Sequence, residues 1–214
     1  MLNIQRFVCN SIQENCYVVN DSTGSCVIVD CGAYYEEEKA ALKKYISDND
    51  LKPEHLIVTH GHIDHNIGNK FVYDTYGLLP EVHEADEALM RSLPEQAKAL
   101  LDINLQEDLP PVGKYLNEDD KINFGEHQFK IIATPGHTPG GVFFYCEKEH
   151  LAFSGDTLFH NSIGRTDFEG GSMFLLIQSL RQISQLPDET IILPGHGVDT
   201  TIGDELASNP YMDR

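Results

Sequence analysis

One short segment of the chain carries four side chains of the kinds that bind metal ions. Between Thr59 and His65, three histidines and one aspartate fall within six residues, directly after a predicted buried strand. In an extended loop, residues two apart project to the same side, so His60, His62 and Asp64 share a direction. His65 lies where a helix is expected to begin and can face a second ion. Imidazole and carboxylate are ligands that zinc favours, besides thiolate, so this spacing predicts a metal site rather than a histidine-rich surface loop.

Three more candidate ligands lie just past predicted strands. They are His137 in Thr-Pro-Gly-His-Thr, Asp156 in Ser-Gly-Asp-Thr and His196 in Pro-Gly-His-Gly. The neighbouring glycines and prolines fix tight turns and let the backbone approach closely. Taken alone, each segment is as consistent with a structural turn as with a metal ligand. Beside the first cluster, however, they favour one centre of seven ligands, namely His60, His62, Asp64, His65, His137, Asp156 and His196.

The predicted elements place these side chains at the ends of strands in two similar halves. Apolar patterns predict the following elements in the first half: strands 2–8, 15–20, 26–30, 55–59 and 81–82, and helices 34–46, 85–101 and one ending near 76. An ordered, irregular loop is expected over 109–119. The second half is predicted to contain strands 121–124, 128–133, 142–146, 150–154 and 190–193, a helix over 172–185 and a short tail. Two such halves can pack sheet on sheet, with helices on both outer faces.

Composition and charge narrow the function further. The 214 residues carry a formal net charge of −19, which repels nucleic-acid phosphates and anionic lipid surfaces, so neither a nucleic acid nor a membrane is an expected partner. Polar residues interrupt the N-terminus at once, and no apolar run is long enough to cross a bilayer, so we expect a cytoplasmic protein. The five cysteines are odd in number and lack a Cys-x-x-Cys spacing, which predicts small buried side chains.

The order of these motifs resembles the metallo-β-lactamase superfamily. The likeness runs from the strands before Asp30 to Gly197 and includes His-x-His-x-Asp-His followed by His, Asp and His. Within the superfamily, other motifs are similar to glyoxalase II-like (hydroxyacylglutathione hydrolase-like) thioesterases. Those motifs are Asn15–Val19, Val29–Gly32, Thr134–Thr138 and Gly155–Phe159. The segment Ser162–Phe168 resembles the short, single-domain subtype.

This resemblance implies a fold, a ligand set and a reaction. The fold would be α/β, a four-layer αβ/βα sandwich with the metals in a cleft at one edge of both sheets. His60, His62 and His137 would hold one metal, Asp64, His65 and His196 the other, and Asp156 would bridge them. Zinc is the expected metal, with iron or manganese as alternatives, because such donors accept all three.

The implied reaction is hydrolysis of a small-molecule thioester, such as S-lactoylglutathione. Two divalent cations about 3.5–4 Å apart can share a water and lower its pKa toward about 7. Asp64 and Asp156 are the candidate catalytic residues, since Asp64 can also orient the nucleophile. Residues 1–214 are expected to form one domain without the helical domain by which glyoxalase II binds glutathione, because only 17 residues follow Gly197. The acyl carrier and the oligomeric state stay open.

Other functions remain to be separated from this one. Persulfide dioxygenases also resemble the chain, including the run Gly164–Phe168. They are mononuclear iron enzymes, and His60, His137 and Asp156 would then hold the iron. A secreted β-lactamase is disfavoured by the lack of an export signal and by an aspartate at the bridging position. A non-catalytic binding module would be favoured by a broken ligand set, but the set is complete.

Two residues near the presumed cleft are candidate substrate contacts. Arg165 could bind a substrate carboxylate, or it could pair internally with Asp167, which is the interpretation we favour because the partner is so near in sequence. His160, in the same loop, could reach the substrate or could be an exposed histidine.

Overall fold

Two six-stranded sheets form the centre of the molecule in the computed structural model, which describes residues 1–106 and 108–212. The first sheet has its strands in sequence order: β1 (Asn3–Cys9), β2 (Glu14–Asn20), β3 (Ser25–Val29), β4 (Lys52–Ile57), β5 (Pro80–His83) and β6 (Lys114–Leu116). The pairs β1–β2 and β2–β3 are antiparallel, whereas β3 to β6 run parallel. The loops that follow β3, β4 and β5 therefore leave the sheet at the same edge.

The second sheet comes from the second half of the chain. Its strands are β7 (Lys121–Phe124), β8 (His127–Ala133), β9 (Val142–Cys146), β10 (Leu151–Gly155), β13 (Ile191–Pro194) and β14 (Thr200–Thr201). Their spatial order is β14-β13-β10-β9-β8-β7. Strands β11 (Leu158–Phe159) and β12 (Ser162–Ile163) form a separate hairpin. Because β10 and β13 are parallel, the loops after them also leave at one edge.

Helices cover the outer faces of both sheets. They are α1 (Glu36–Asp48), α2 (Asn69–Tyr76), α3 (Glu87–Arg91), α4 (Leu93–Leu101), α5 (Met173–Ile183) and α6 (Ile202–Ser208). Side-chain caps begin two of them: Ser172 Oγ accepts the Leu175 N–H at the start of α5, and Thr201 Oγ1 accepts the Asp204 N–H at the start of α6. Such caps satisfy amide groups that the first helical turn leaves free.

The alternation of side chains along each strand produces the layers. In β2, Tyr17 and Val19 face the core between the sheets, while Cys16 and Val18 pack against α1 and α2. In β9, Phe144 enters the same central core, whereas Phe143 and Tyr145 pack toward α5 and α6. Strands buried on both faces read as continuous apolar runs. The predicted four-layer αβ/βα sandwich is confirmed.

Three local features differ from the sequence prediction. The helix predicted over 85–101 is divided into α3 and α4 at Ser92, because Pro94 at the start of α4 has no N–H to continue the hydrogen bonds of α3. The loop expected over 109–119 contains strand β6, which pairs with β5. The short tail contains α6.

The cysteines and the helices agree with two further expectations. All five cysteines lie within the described residues, and each is buried with a free thiol. None of the helices in the described part of the chain has both the length and the apolar character that crossing a bilayer requires.

Asp21 is a buried aspartate far from the candidate site. Its side chain connects the turn after β2 in the first sheet with the turn between β7 and β8 in the second sheet. Asp21 accepts hydrogen bonds from the Thr23 hydroxyl and N–H, from the Glu126 N–H at 2.7 Å and from His127 Nδ1 at 3.0 Å. Burial acts to raise the pKa of Asp21, but these donors outweigh it and hold the pKa below its usual range. The charged form of Asp21 is therefore the form that the fold stabilises.

Replacing Asp21 with asparagine should lower the free energy of unfolding by about 2–3 kcal/mol at pH 7, because charge-assisted hydrogen bonds are lost at a buried position. A lowered pKa in the folded state contributes stability above the unfolded pKa of about 3.9 and loses it as the pH falls through the folded value. In urea titrations, the difference between the two proteins should thus begin to shrink below about pH 4 and should vanish only when the pH reaches the folded-state pKa of Asp21. A difference that persists unchanged in acid would contradict this role.

Candidate metal centre

All seven predicted ligands converge at one edge of the sandwich. The loop after β4 brings His60, His62, Asp64 and His65, and the loops after β8, β10 and β13 bring His137, Asp156 and His196. The first sheet thus supplies four side chains and the second supplies three. Five of the seven are at most 6% exposed, and the other two, Asp156 and His196, are half-buried.

Three histidines form the first group of donor atoms. His60, His62 and His137 each offer one ring nitrogen within 4.8 Å of the others. His62 Nδ1 lies 3.0 Å from His137 Nε2, and the buried Nε2 of His60 has no hydrogen-bond partner. A buried ring nitrogen without a partner is costly unless something else binds it. Three imidazole nitrogens at this spacing suit a tetrahedral zinc or iron ion with one open position.

A second group lies beside the first. Asp64, His65 and His196 also have donor atoms within 4.8 Å of one another. Asp64 Oδ2 is 3.1 Å from His196 Nε2 and 3.4 Å from His65 Nε2, and the His65 nitrogen is buried without a hydrogen bond. Its mixture of carboxylate and imidazole is again a donor set for a divalent cation.

Asp156 lies between the two groups. Its Oδ1 is 3.4 Å from His65 Nε2, and its Oδ2 is 3.6 Å from His137 Nε2 and 3.7 Å from His196 Nε2. Oδ1 is buried without a hydrogen-bond donor. One carboxylate that faces both groups in this way has the geometry needed to bridge two cations.

The carboxylate of Asp30 orients His65 directly and His60 through the Thr59 hydroxyl, on the side of each ring that faces away from the centre. Asp30 follows β3 and has a left-handed backbone with φ of 48°. Its Oδ2 accepts from His65 Nδ1 at 2.9 Å and from the Thr59 hydroxyl at 2.7 Å. Since that hydroxyl donates to Asp30, it can only accept from His60 Nδ1, 3.1 Å away. Both rings are therefore left with a bare Nε2 that faces the centre.

Backbone carbonyls orient two more rings. His137 Nδ1 donates to the carbonyl oxygen of Arg165 at 2.7 Å, and His196 Nδ1 donates to that of Gln13 at 3.2 Å. The loop that carries His196 is itself held by Asn15, whose side chain donates to the Pro194 and Gly197 carbonyls. Four of the five histidines thus present Nε2, which is the pattern of metal-ligating histidines.

The electrostatics of the centre favour a neutral His60, a neutral His62 and ionised aspartates. Burial lowers the pKa of His62 to about 4 and holds the pKa of His60 well below its usual value. Burial alone would raise the pKa of Asp156, but the charge of His65 holds it well below its usual value. Burial would likewise lower the pKa of His65, yet Asp64, Asp30 and Asp156 raise it. A negative potential that favours a proton on His65 also favours a cation.

Asp86 joins two of the ligand loops, and its role could not be predicted from the sequence. Asp86 is fully buried in the turn after β5. Its Oδ2 accepts from the Gly61 N–H and from the Thr138 hydroxyl, both at 2.8 Å, and its Oδ1 accepts from the Gly140 N–H at 2.6 Å. Burial raises the pKa of Asp86, and these three donors oppose the rise. The only sequence signal was an acidic residue next to a strand, which is too common to single out.

The backbone also approaches the centre at Gly195. A Cβ atom there would lie 2.4 Å from Asp156 Oδ1 and 2.5 Å from His65 Cε1. Any larger residue would displace one of these two side chains. The glycine before His196 is therefore explained by the close approach of its loop to the ligands.

The two tentative substrate contacts have different surroundings. Arg165 forms two hydrogen bonds of 2.7 Å with the carboxylate of Asp167, and its guanidinium lies over the Phe168 ring at 4.0 Å. This is the internal ion pair favoured above, although Arg165 also lines the cavity at the centre. His160 lies at the β11–β12 turn, where Nδ1 is 3.3 Å from Glu205 Oε1, and it is not among the described residues lining that cavity.

Comparison with known proteins agrees with this geometry. Residues 10–196 match the family model of the metallo-beta-lactamase superfamily. The chain is 36% identical to hydroxyacylglutathione hydrolase GloC of Haemophilus influenzae over 99% of both chains. The crystal structure of BLEG-1 B3 metallo-beta-lactamase has a TM-score of 0.89 at 32% identity, over 99% of this chain and 100% of that one. The crystal structure of TTHA1623 in a di-iron-bound form has a TM-score of 0.85 at 33% identity, over 97% of this chain and 100% of that one. From its motifs, its fold and these likenesses, the chain belongs to the metallo-beta-lactamase superfamily.

Proposed function

We propose that this metal-dependent hydrolase is a binuclear thioesterase that cleaves S-lactoylglutathione or a similar acyl thioester. The observation that carries the proposal is the convergence of seven donor side chains, with buried, unpartnered atoms on His60, His65 and Asp156. The thioester substrate is supported by the likeness to a protein named hydroxyacylglutathione hydrolase over nearly the whole chain.

In the proposed assignment, His60, His62 and His137 hold one divalent cation, and Asp64, His65 and His196 hold the other. Asp156 bridges them, and zinc is the expected metal, with iron or manganese as alternatives. When bound, such a pair supplies an activated water at neutral pH and polarises a carbonyl oxygen. We also propose that residues 1–214 act as one domain, because each sheet supplies only part of the ligand set.

The side chains of the protein then position the reactants. Asp64 Oδ2 lies 3.1 Å from His196 Nε2, and this carboxylate would orient the attacking water by a hydrogen bond while it binds metal. Burial would raise the pKa of Asp64, but the neighbouring His65 and His196 lower it, so the carboxylate is ionised. A thiolate is a good leaving group, so the reaction needs no strong general acid on the thiol side. The products are a carboxylate and a free thiol.

Metal analysis together with a substrate panel tests the proposal. We expect two metal ions per chain and hydrolysis of S-lactoylglutathione that chelation reduces at least a thousandfold and that added metal restores. The panel should include glutathione persulfide with an oxygen electrode, and a chromogenic β-lactam, since a similar structure is named a β-lactamase. One iron per chain with oxygen uptake would replace the proposal by a persulfide dioxygenase. Cleavage of the β-lactam alone would replace it by a lactamase.

A further inference from the structure

A groove leads away from the candidate metal centre along the surface. A cavity of about 470 Å³ opens over the centre, and a second of about 280 Å³ lies beside it. The two share His62, Leu100 and Phe168 as lining residues. A molecule whose reacting carbonyl lies at the metal centre can therefore extend into the second cavity without leaving the surface of the protein.

The walls of the second cavity, which we call the side groove, are apolar. They are formed by Leu89 of α3, Ala99 and Leu100 of α4, and Phe168 from the loop before α5. Leu100 is 42% exposed, a large apolar side chain at the surface beside a site for a small molecule. Apolar side chains with few free polar groups are typical of pockets for hydrocarbon groups.

Two uncharged polar side chains of the side groove, Gln96 and Ser92, already form hydrogen bonds within the protein. Gln96 donates to the carbonyl oxygens of Gly61 and Leu89 at 3.2 and 2.9 Å, and its Oε1 accepts from the Ile63 N–H at 3.0 Å. The Ser92 hydroxyl donates to the carbonyl oxygen of Leu89. These side chains have little remaining capacity to bind a polar substrate group, because breaking their hydrogen bonds would leave buried backbone groups without a partner.

The same bonds fix the side groove to the ligand loop. Gln96 connects α4 to both sides of His62, and Leu89 packs so closely on Gly61 that a Cβ there would lie 2.7 Å from it. On the opposite wall, the Phe168 ring meets the His62 ring edge-to-face at 5.5 Å. The distance from the metal centre to the apolar walls is therefore set by the fold, as a subsite requires.

Charge disfavours an anionic occupant. Glu95 and Glu169 lie at the rim of the side groove. Among the described residues that line the two cavities, only Arg165 has a permanently charged cationic side chain, and it is paired with Asp167. A negatively charged group in the side groove would meet two carboxylates without a free cation to offset them.

We propose that the side groove is a subsite for an apolar acyl chain, so that the preferred substrates are thioesters of aliphatic or aromatic acids. This inference rests on the proposed thioesterase function and narrows its substrate class. Water attacks the carbonyl carbon and the carbon–sulfur bond breaks. The leaving thiolate takes up one proton of the water, the other proton passes to the solvent, and the acyl chain leaves the side groove as a carboxylate.

A chain-length series with one uncharged thiol tests this subsite. The probes are acetyl, butyryl, hexanoyl and octanoyl thioesters of N-acetylcysteamine, assayed with the metal-loaded protein. Burial of one CH₂ group is worth about 0.8 kcal/mol, or about fourfold in kcat/KM. Because the side groove is open on one side, we expect at least a tenfold rise from acetyl to hexanoyl.

A matched pair of variants tests whether the preference for longer acyl chains arises in the side groove. Ala99→Trp fills the side groove and should lower the ratio of kcat/KM for octanoyl over acetyl at least tenfold. Ala40→Trp makes the same change at an exposed position of α1, away from both cavities, and should keep the wild-type ratio. As a readout besides turnover, calorimetry should show that S-octyl-N-acetylcysteamine, a thioether that cannot be hydrolysed, binds wild type more tightly than Ala99→Trp.

The outcomes separate the subsite from the function. Hydrolysis of all four probes with a flat or falling chain-length profile would overturn the subsite and leave the thioesterase in place. Equal effects of both tryptophan variants would also overturn it. Failure to hydrolyse any thioester, S-lactoylglutathione included, would overturn the function and the subsite together.

Discussion

The Asp156→Ala variant should lose at least one of the two metal ions and nearly all hydrolysis, a fall of about a thousandfold or more in kcat/KM. Asp156 faces both groups of donor side chains, at 3.4 Å from His65 and 3.6 and 3.7 Å from His137 and His196. Without it, two cations would lose their shared negative ligand and repel each other across the centre. Metal content per folded chain and turnover should fall together.

Asp74→Ala is the control for that experiment. Asp74 is an exposed carboxylate on α2 that pairs with Lys70 across one helical turn, and such pairs contribute a few tenths of a kcal/mol. This variant should keep both metals and wild-type turnover. Full metal occupancy with normal hydrolysis in Asp156→Ala would refute the bridging assignment, whereas loss of activity with both metals retained would leave Asp156 a purely catalytic role.

The candidate ligands could be found from sequence because their signal is local. Five of the seven lie beside a glycine that marks the turn after a strand, and Asp64 and His65 follow in the same short segment as His60 and His62. The apolar patterns likewise indicated two similar halves with strands and helices, and such halves can pack sheet on sheet with helices on both outer faces. Both predictions depend only on residues that are close together in the sequence.

The supporting contacts could not be predicted, because they join residues far apart in sequence. Asp86 contacts Gly61, 25 positions away, and Gly140, 54 positions away. Gln96 reaches back to the Ile63 N–H from a helix whose own pattern indicates only one apolar face. Pro94 could have indicated the break between α3 and α4, but nothing in the local pattern indicates that α4 contacts the ligand loop.

Asp86→Asn should weaken metal binding about 10- to 100-fold, the usual effect of losing a residue that orients metal ligands. Both oxygens of Asp86 accept hydrogen bonds, so an amide must turn its NH₂ group toward the Gly140 N–H or toward the Gly61 N–H. A buried amide N–H is then left without an acceptor, at a cost of about 1–3 kcal/mol. The loops of His60 and His137 would lose the carboxylate that holds them together.

Two further variants separate positioning from general stability. Asp21→Asn makes the same chemical change at another buried carboxylate and should destabilise the fold while leaving metal affinity at the wild-type value. Thr138→Val removes one of the three donors to Asp86 and should give a smaller loss of affinity. Affinity should be measured by competition with a chelator at a temperature where all variants are folded. If Asp86→Asn and Asp21→Asn lowered the unfolding temperature equally and left metal affinity unchanged, Asp86 would be an ordinary core contact. A loss of affinity in Asp86→Asn alone would mean that this carboxylate positions the ligand loops of the two sheets relative to each other.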